Sequence, residues 1–379
     1  MEAAVLEEYG STPQFGEFED PPADGVAIVD VDVAGLNPVD QAIASGRIPG
    51  RRPPLPSVPG LEGVGTVDGR RVYFDTPVAP FGSMGERVPV ERGELIEVPD
   101  GVADGLAVSF GIAGLAAWLS LTWRAELQPG ESVLVLGSSG ALGQIAVQGA
   151  RLLGAGRVVA AARDSASLER ARDELGADAV VQLGGEGDAT EHLKEAGGGG
   201  FDVVVDPLWG EPALAAIGAL NEEGRLIQVG NSAGQSVDLP TRGFRNQLGR
   251  IIGHTNFKTS RERKREAFMA MCRHALAGEL KVEVEGVPLR DIGRAWRLES
   301  PHRKVVIEVS PDTSGGAAEL PAGGDVEAES EAAATEAGRI GGNVPPLSDD
   351  PAREPLEEAG EGESEGQEQT EQSLRDATE

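Results

Sequence analysis

Cysteine is almost missing from this 379-residue chain, with Cys272 the only one. That excludes a disulfide framework and any zinc or iron–sulfur site built on several thiolates. Histidine is scarce as well: His192, His254, His274 and His302 stand far apart, at no ligand spacing. Tyrosine occurs only at Tyr9 and Tyr73, and neither is followed by lysine at the spacing of a Tyr-x-x-x-Lys proton-transfer pair. No apolar run approaches the ~20 residues of a membrane span. The opening MEAAVLEEYG has neither a basic region nor an apolar core, so no signal peptide is expected, and the cytoplasm is the expected compartment. Basic residues number 33 against 63 acidic ones, a formal net charge of −30. Nucleic acid is therefore not an expected partner, because its recognition draws on clustered Lys and Arg.

The charge is uneven. Residues 311–379 hold 19 acidic and 3 basic residues, net −16, no aromatic, and as large aliphatics only Leu320, Val326, Ile340, Val344, Leu347, Leu356 and Leu374. Such a stretch cannot bury enough apolar surface to offset the entropy of ordering it. A disordered, solubilising acidic tail is expected there, with docking to a basic partner as the alternative. The preceding 310 residues carry net −14, and their length suggests two domains.

Within that body, 26–33 alternates like a half-exposed strand, and 50–60 (GRRPPLPSVPG) is a Pro-rich loop. From residue 130 the rhythm becomes strand, turn, helix. Strands are predicted at 132–136, 157–161, 178–182, 201–205 and 225–229, with another short strand around 250. Helices are predicted at about 141–153, 165–175, 188–196 and 211–220. This alternation predicts a parallel sheet with helices on both faces. A charged helix from Ser260 should stop at Gly278, and strands around a short helix should fill 281–309.

The sharpest local signal is Gly137-Ser138-Ser139-Gly140-Ala141-Leu142-Gly143, between an apolar strand and a helix. In that context Gly140 lets a backbone approach a pyrophosphate, Gly143 permits close helix–strand packing, and the helix N-terminus offers free N–H groups. The usual fingerprint has Gly at 138, where this chain has Ser. A tight strand–helix turn without a ligand is the alternative. Where an NAD site places a carboxylate, this chain has Ala162 and then Arg163, which favours a 2′-phosphate and hence NADPH over NADH. Asp164 could still reach a ribose hydroxyl.

Several stretches together resemble the medium-chain dehydrogenase/reductase superfamily, in its zinc-independent quinone-oxidoreductase-like branch. They are AGLNPVD at 34–40, PGLEGVG at 59–65, GIAGLAAW at 111–118, LQPGESVLVLGSSGALG at 127–143, GADAV at 176–180 and GNSAG at 230–234. The resemblance implies an α/β fold: a GroES-like β-rich catalytic domain (1–109 and 246–310) split around a Rossmann doubly wound parallel sheet (110–245). It implies cofactor contacts at Asp206, Leu208, Val229, Gly230 and Asn231, and an orienting contact from Asn37 near nicotinamide and substrate. Asn37 could instead serve only as a turn residue before Pro38. Asp40 would anchor the same loop or line the site, Glu62 reads as structural, and Tyr73 as a strand residue more than a proton donor. Where zinc-dependent relatives carry metal ligands, this chain has Asn37, Leu61 and the region of Ile112–Ala113, so no zinc site is expected. The implied activity is NADPH-dependent reduction of quinones or α,β-unsaturated carbonyls by metal-free hydride transfer, in a homodimer. A catalytically weak NADPH sensor or scaffold of the same fold is the alternative.

Overall fold

Short apolar runs flanked by glycine make strands buried on both faces of a sheet. The computed structural model describes residues 1–48, 50–298 and 303–310. In it these runs are β1 (Ser132–Leu136), β2 (Arg157–Ala162), β3 (Ala179–Gln182), β4 (Phe201–Asp206), β5 (Leu220–Gln228) and β6 (Arg250–Gly253). Every pairing is parallel, in the spatial order β3-β2-β1-β4-β5-β6. Alternate residues serve two cores. Val133, Val135, Val158 and Val203 pack with Leu115, Ile145 and Phe268 on one face. Leu134, Leu136, Val159 and Val204 pack with Leu193, Ala213 and Ile217 on the other. The strand order reverses between β1 and β4, which is where such sheets open a ligand crevice at their carboxyl edge.

Two details differ from the sequence-based expectation. β5 begins at Leu220 rather than 225, because Leu220 pairs with Phe201 ahead of a register shift that includes the left-handed Glu223. Arg250–Gly253, which falls in the segment 246–310 expected to return to the first domain, pairs with β5 as the sixth strand of the nucleotide-type sheet.

A second sheet uses both ends of the body. Its order is Val284–Pro288, Lys304–Glu308, Ala27–Gly35, Gly63–Val67, Arg70–Phe74 and Ile96–Glu97, with Arg87–Val90 also pairing to Ala27–Gly35. Val306 lies opposite Gly35 and Glu308 opposite Val33, so the chain's return sits against its beginning. Val29, Val31, Val72, Phe74, Val88 and Ile307 form this domain's own core. The charged helix runs Arg261–Leu276 and ends before the left-handed Gly278, as its spacing predicts. Among the described residues no helix is long and apolar enough to cross a membrane. The expected acidic tail, 311–379, lies outside the described residues.

Candidate functional site

The glycine turn closes β1 and opens the helix Ala141–Leu152. Gly137 is left-handed, at φ +62°. A Cβ at Gly143 would sit 2.5 Å from Ser138 Cα and closer still to the Gly137 carbonyl oxygen, so only glycine lets the helix approach the turn. A Cβ at Gly140 would meet nothing nearer than Gly137 O at 4.0 Å. Gly140 is the N-cap and, as a glycine, has no side chain to cap that end of the helix. The positive dipole end of the helix lies at this turn. Ser138 is buried, its N–H bonded to Ala161 O at 3.1 Å and its hydroxyl without a partner among the described residues. Ser139 O accepts from Gln144 Nε2 at 3.0 Å, holding the turn to the helix that Ala141 and Leu142 begin.

The neighbouring strand ends meet the same edge. Arg163 is exposed just past β2, and its carbonyl accepts from Gln182 Nε2. Asp164 caps the helix Ser165–Asp173 by accepting from Ser167 N at 2.7 Å. Asp206, fully buried at the end of β4, accepts from the N–H groups of Leu208 and Trp209 at 2.8 and 2.9 Å through Oδ1. Its Oδ2 is buried with no partner among the described residues. Burial pushes this carboxyl up to about 6, against the pull of the two N–H groups. Leu208 packs beneath Gly137. Val229 N and Gly230 N both donate to Asp206 O, while Asn231 is exposed and bonds Gln235. The structure therefore brings Gly137, Asp206, Leu208, Val229 and Gly230 together.

Asn37 and Asp40 lie in a separate buried network. Pro38 opens the helix Pro38–Ala44, with Asn37 as N-cap and Asp40 at its third position. Asp40 Oδ2 accepts from Asn37 N at 2.8 Å, and Oδ1 from Leu61 N at 3.0 Å. Glu62 Oε1 accepts from Asn37 Nδ2 at 2.8 Å and from Lys304 Nζ at 2.9 Å. Its Oε2 accepts from Tyr73 OH at 3.1 Å and from Ile112 N at 2.5 Å. Lys304 Nζ also donates to Asn37 Oδ1 at 2.5 Å. Both ends of the Asn37 amide are thus engaged within the protein. Burial, reinforced by the Glu62 charge, pushes Asp40 up to about 7, with the Asn37 N–H and Lys304 opposing. Burial and then Glu62 raise Tyr73 well above the usual phenol range, so its hydroxyl is a fixed donor on a strand, stacked 4.9 Å from Phe268. Lys304 is a member that sequence reasoning missed. Its one legible sign is a lysine opening an apolar strand, KVVIE.

The network leads to the boundary between the two sheets. Ile112, bonded to Glu62 through its N–H, accepts from Asn256 Nδ2 through its carbonyl at 2.9 Å. Asn256 Oδ1 lies 3.0 Å from His254 Nε2, and burial holds this imidazole below its usual pKa. Next in sequence, the half-exposed Phe257 carries the Arg51 guanidinium 3.6 Å above its ring. The Pro-rich loop of the first domain thereby reaches the segment that follows the carboxyl end of β6. As for a metal, Asn37 offers a neutral amide that is already engaged, and Leu61 has no donor in its side chain. Among the described residues no three His, Cys, Asp or Glu side chains converge to hold one. Cys272 is buried, its thiol pushed up to about 12 by burial.

Residues 141–271 match the family model described as zinc-binding dehydrogenase. Among solved structures, the quinone oxidoreductase from Thermus thermophilus, solved alone and in complex with NADPH, superposes with a TM-score of 0.71 at 30% identity. The match covers 82% of this chain and 100% of that one. A phenolphthiocerol/phthiocerol polyketide synthase polypeptide of Mycobacterium tuberculosis is 31% identical over 74% of this chain, which spans only 13% of that protein. Quinone oxidoreductase-like protein 2 of Rattus norvegicus is 32% identical over 56% of this chain and 63% of its own length.

Proposed function

The chain belongs to the medium-chain dehydrogenase/reductase superfamily, in its quinone-oxidoreductase-like branch, and from that premise we propose that it is an NADPH-dependent reductase of quinones or α,β-unsaturated carbonyls. The observation that carries this reading is the glycine turn. Gly143 packs the helix against the turn, while the space over Gly140 stays open at an uncapped helix end. That is a cradle for a pyrophosphate. Arg163 is exposed where a ribose carboxylate would stand, and Asp164 is engaged as a helix cap, which supports a 2′-phosphate. The Thermus relative's complex with NADPH supports the same cofactor.

Held by the glycine turn and Arg163, NADPH would supply a hydride to a conjugated acceptor. The chain's own part is binding and orientation. Gly137, Leu208 and Gly230 shape the floor of the crevice, and Asp206 fixes the turn after β4. The Asn37–Asp40–Glu62–Lys304 network holds the loops 34–40 and 59–62 in one arrangement. The donor set does not fit catalytic zinc, so no step is assigned to a metal. Simple alcohols, which need their hydroxyl acidified, are accordingly poor substrates.

The test is NADPH oxidation at 340 nm with a panel of quinones, enones and simple alcohols. Turnover of enones or quinones is expected, and Arg163→Ala should raise the KM for NADPH about tenfold while leaving that for NADH unchanged. Equal use of both cofactors, unaffected by the substitution, would overturn the cofactor assignment. Binding of NADPH without turnover of any acceptor would overturn the enzymatic one.

A further inference from the structure

Several basic side chains of this acidic body are neutralised by a carboxylate. Arg71 pairs with Asp104, Arg92 with Asp68, Arg225 with Glu131 and Lys264 with Asp75. Arg47, Arg51 and Arg52 do not: none forms an ion pair among the described residues, although each is held in place. Arg47 Nε donates to Ser45 Oγ at 3.0 Å. Arg51 lies over the Phe257 ring, a contact that orients a guanidinium without neutralising it. Arg52 Nε donates to Gly46 O at 2.7 Å, and its guanidinium stands 5.8 Å from the Tyr9 ring centre. Tyr9 OH in turn donates to Pro53 O, and Pro53, Pro54 and Pro56 stiffen the chain beyond the arginines. Lys258 adds a further exposed cation beside Phe257.

These cations stand at a particular place. Phe257 comes four residues after Gly253, the last residue of β6, and so belongs to the carboxyl edge that also carries Gly137, Asp206 and Gly230. Asn256 is bonded to Ile112, whose N–H holds Glu62. Arg51 therefore ties the first domain's Pro-rich loop to the segment after β6, at the carboxyl edge of the sheet that carries the proposed cofactor crevice.

We propose that Arg51 and Arg52, aided by Arg47, form a cationic rim that selects acceptors bearing a carboxylate or phosphate at the end remote from the reacting double bond. The inference rests on the reductase reading and names its substrate class. A guanidinium held through one nitrogen or one face keeps further N–H groups free, in a planar fork that matches both anions. On a body of net −14 the rim also supplies a local attraction that the overall charge denies to an anion.

The experiment compares three matched acceptors with the full chain and saturating NADPH: benzalacetone, its para-carboxylate and its para-phosphate ester. The anionic acceptors should have a kcat/KM at least about tenfold above the neutral one, and that ratio should fall about tenfold in Arg51→Gln/Arg52→Gln. It should fall with added salt as well, and stay unchanged in Arg92→Gln, a surface control. A greater preference for the phosphate ester assigns the natural acceptor to phosphate-bearing compounds, and a greater preference for the carboxylate assigns it to acids. A native ratio near one, an unchanged ratio in the double variant, or a raised KM for NADPH alone would overturn the proposal. A purely packing role of Arg51 would change neutral and anionic acceptors alike. Calorimetric binding of the para-phosphate ester to the chain saturated with NADP⁺, which cannot reduce it, separates this from the reductase reading. Absence of any turnover defeats that reading, whereas binding that the double variant does not weaken defeats the rim.

Discussion

Replacing Lys304 by methionine keeps most of the side chain's length and removes its charge. Lys304 is 3% exposed and Glu62 is fully buried, with 2.9 Å between Nζ and Oε1. At an effective dielectric of about 20, two unit charges at that distance attract by roughly 6 kcal/mol. Desolvation of both ions consumes much of this, so the intact pair contributes little net stability. Removing one partner is different, because Glu62 stays buried and charged while Asn37 Oδ1 loses its donor. Three donors remain on Glu62, namely Tyr73 OH, Ile112 N–H and Asn37 Nδ2, which tempers the loss. A cost of about 3–5 kcal/mol follows, equivalent to a drop in Tm of roughly 6–20 °C for a body of this size. Differential scanning fluorimetry at pH 7.5 measures it. Lys304→Met/Glu62→Gln should recover part of the loss, since the orphaned charge is gone. A drop below about 2 °C for the single variant, or a double variant as unstable as the summed singles, would refute the reasoning.

Stability should also rise as pH falls from 8 to 6.5. Asp40 and Asp206 have raised pKa values, so the folded protein holds protons there that the unfolded chain has released, and stability is lost as pH climbs through about 6–7. Asp40 alone contributes roughly 1 kcal/mol across that interval, read as a Tm difference that Asp40→Asn should remove; an unchanged slope in that variant would count against the assignment. Below pH 6.5, His254 opposes the trend, since its depressed pKa makes the unfolded chain the stronger proton binder. Gly140→Ala and Gly143→Ala should behave differently. The first puts a methyl into open space and should weaken NADPH binding with little change in Tm, whereas the second collides with the turn's backbone and should cost about 1–3 kcal/mol as well as binding. Equal Tm values for the two would remove the packing role assigned to Gly143.

The nucleotide-type sheet was legible because its signals are local. Strand, turn and helix alternate within some thirty residues, and Gly140 and Gly143 act through neighbours three to six positions away. The reach of β5 back to Leu220 was not legible, since Asn221, Glu222 and Glu223 read as a polar break. The joining of Asn37, Glu62, Tyr73 and Lys304 was hidden for a different reason. Lys304 lies 267 residues from Asn37 and 242 from Glu62, and no periodicity spans such a separation. Glu62 read as structural from its motif, but the four donors that converge on it emerge only when two ends of the chain meet. Arg51 and Arg52 fall in a stretch whose composition reads only as a Pro-rich loop. What sets Arg51 apart is its contact with Phe257, 206 residues on, a property of the folded neighbourhood.

The antiparallel ladder of Val306–Glu308 on Val33–Gly35 also sets an order of events during synthesis. At roughly 5–20 residues per second, some 270 residues separate the two strands by about 15–55 seconds of translation. The six parallel strands are complete by residue 253 and can pack while the first hundred residues still lack their closing partner. Through that interval Glu62 and Asn37 wait without Lys304, and the edge of Ala27–Gly35 stands open. Nascent-chain capture of that edge, by a chaperone or by another copy, is the hazard that a domain assembled from both ends of its sequence carries and that a contiguous domain avoids.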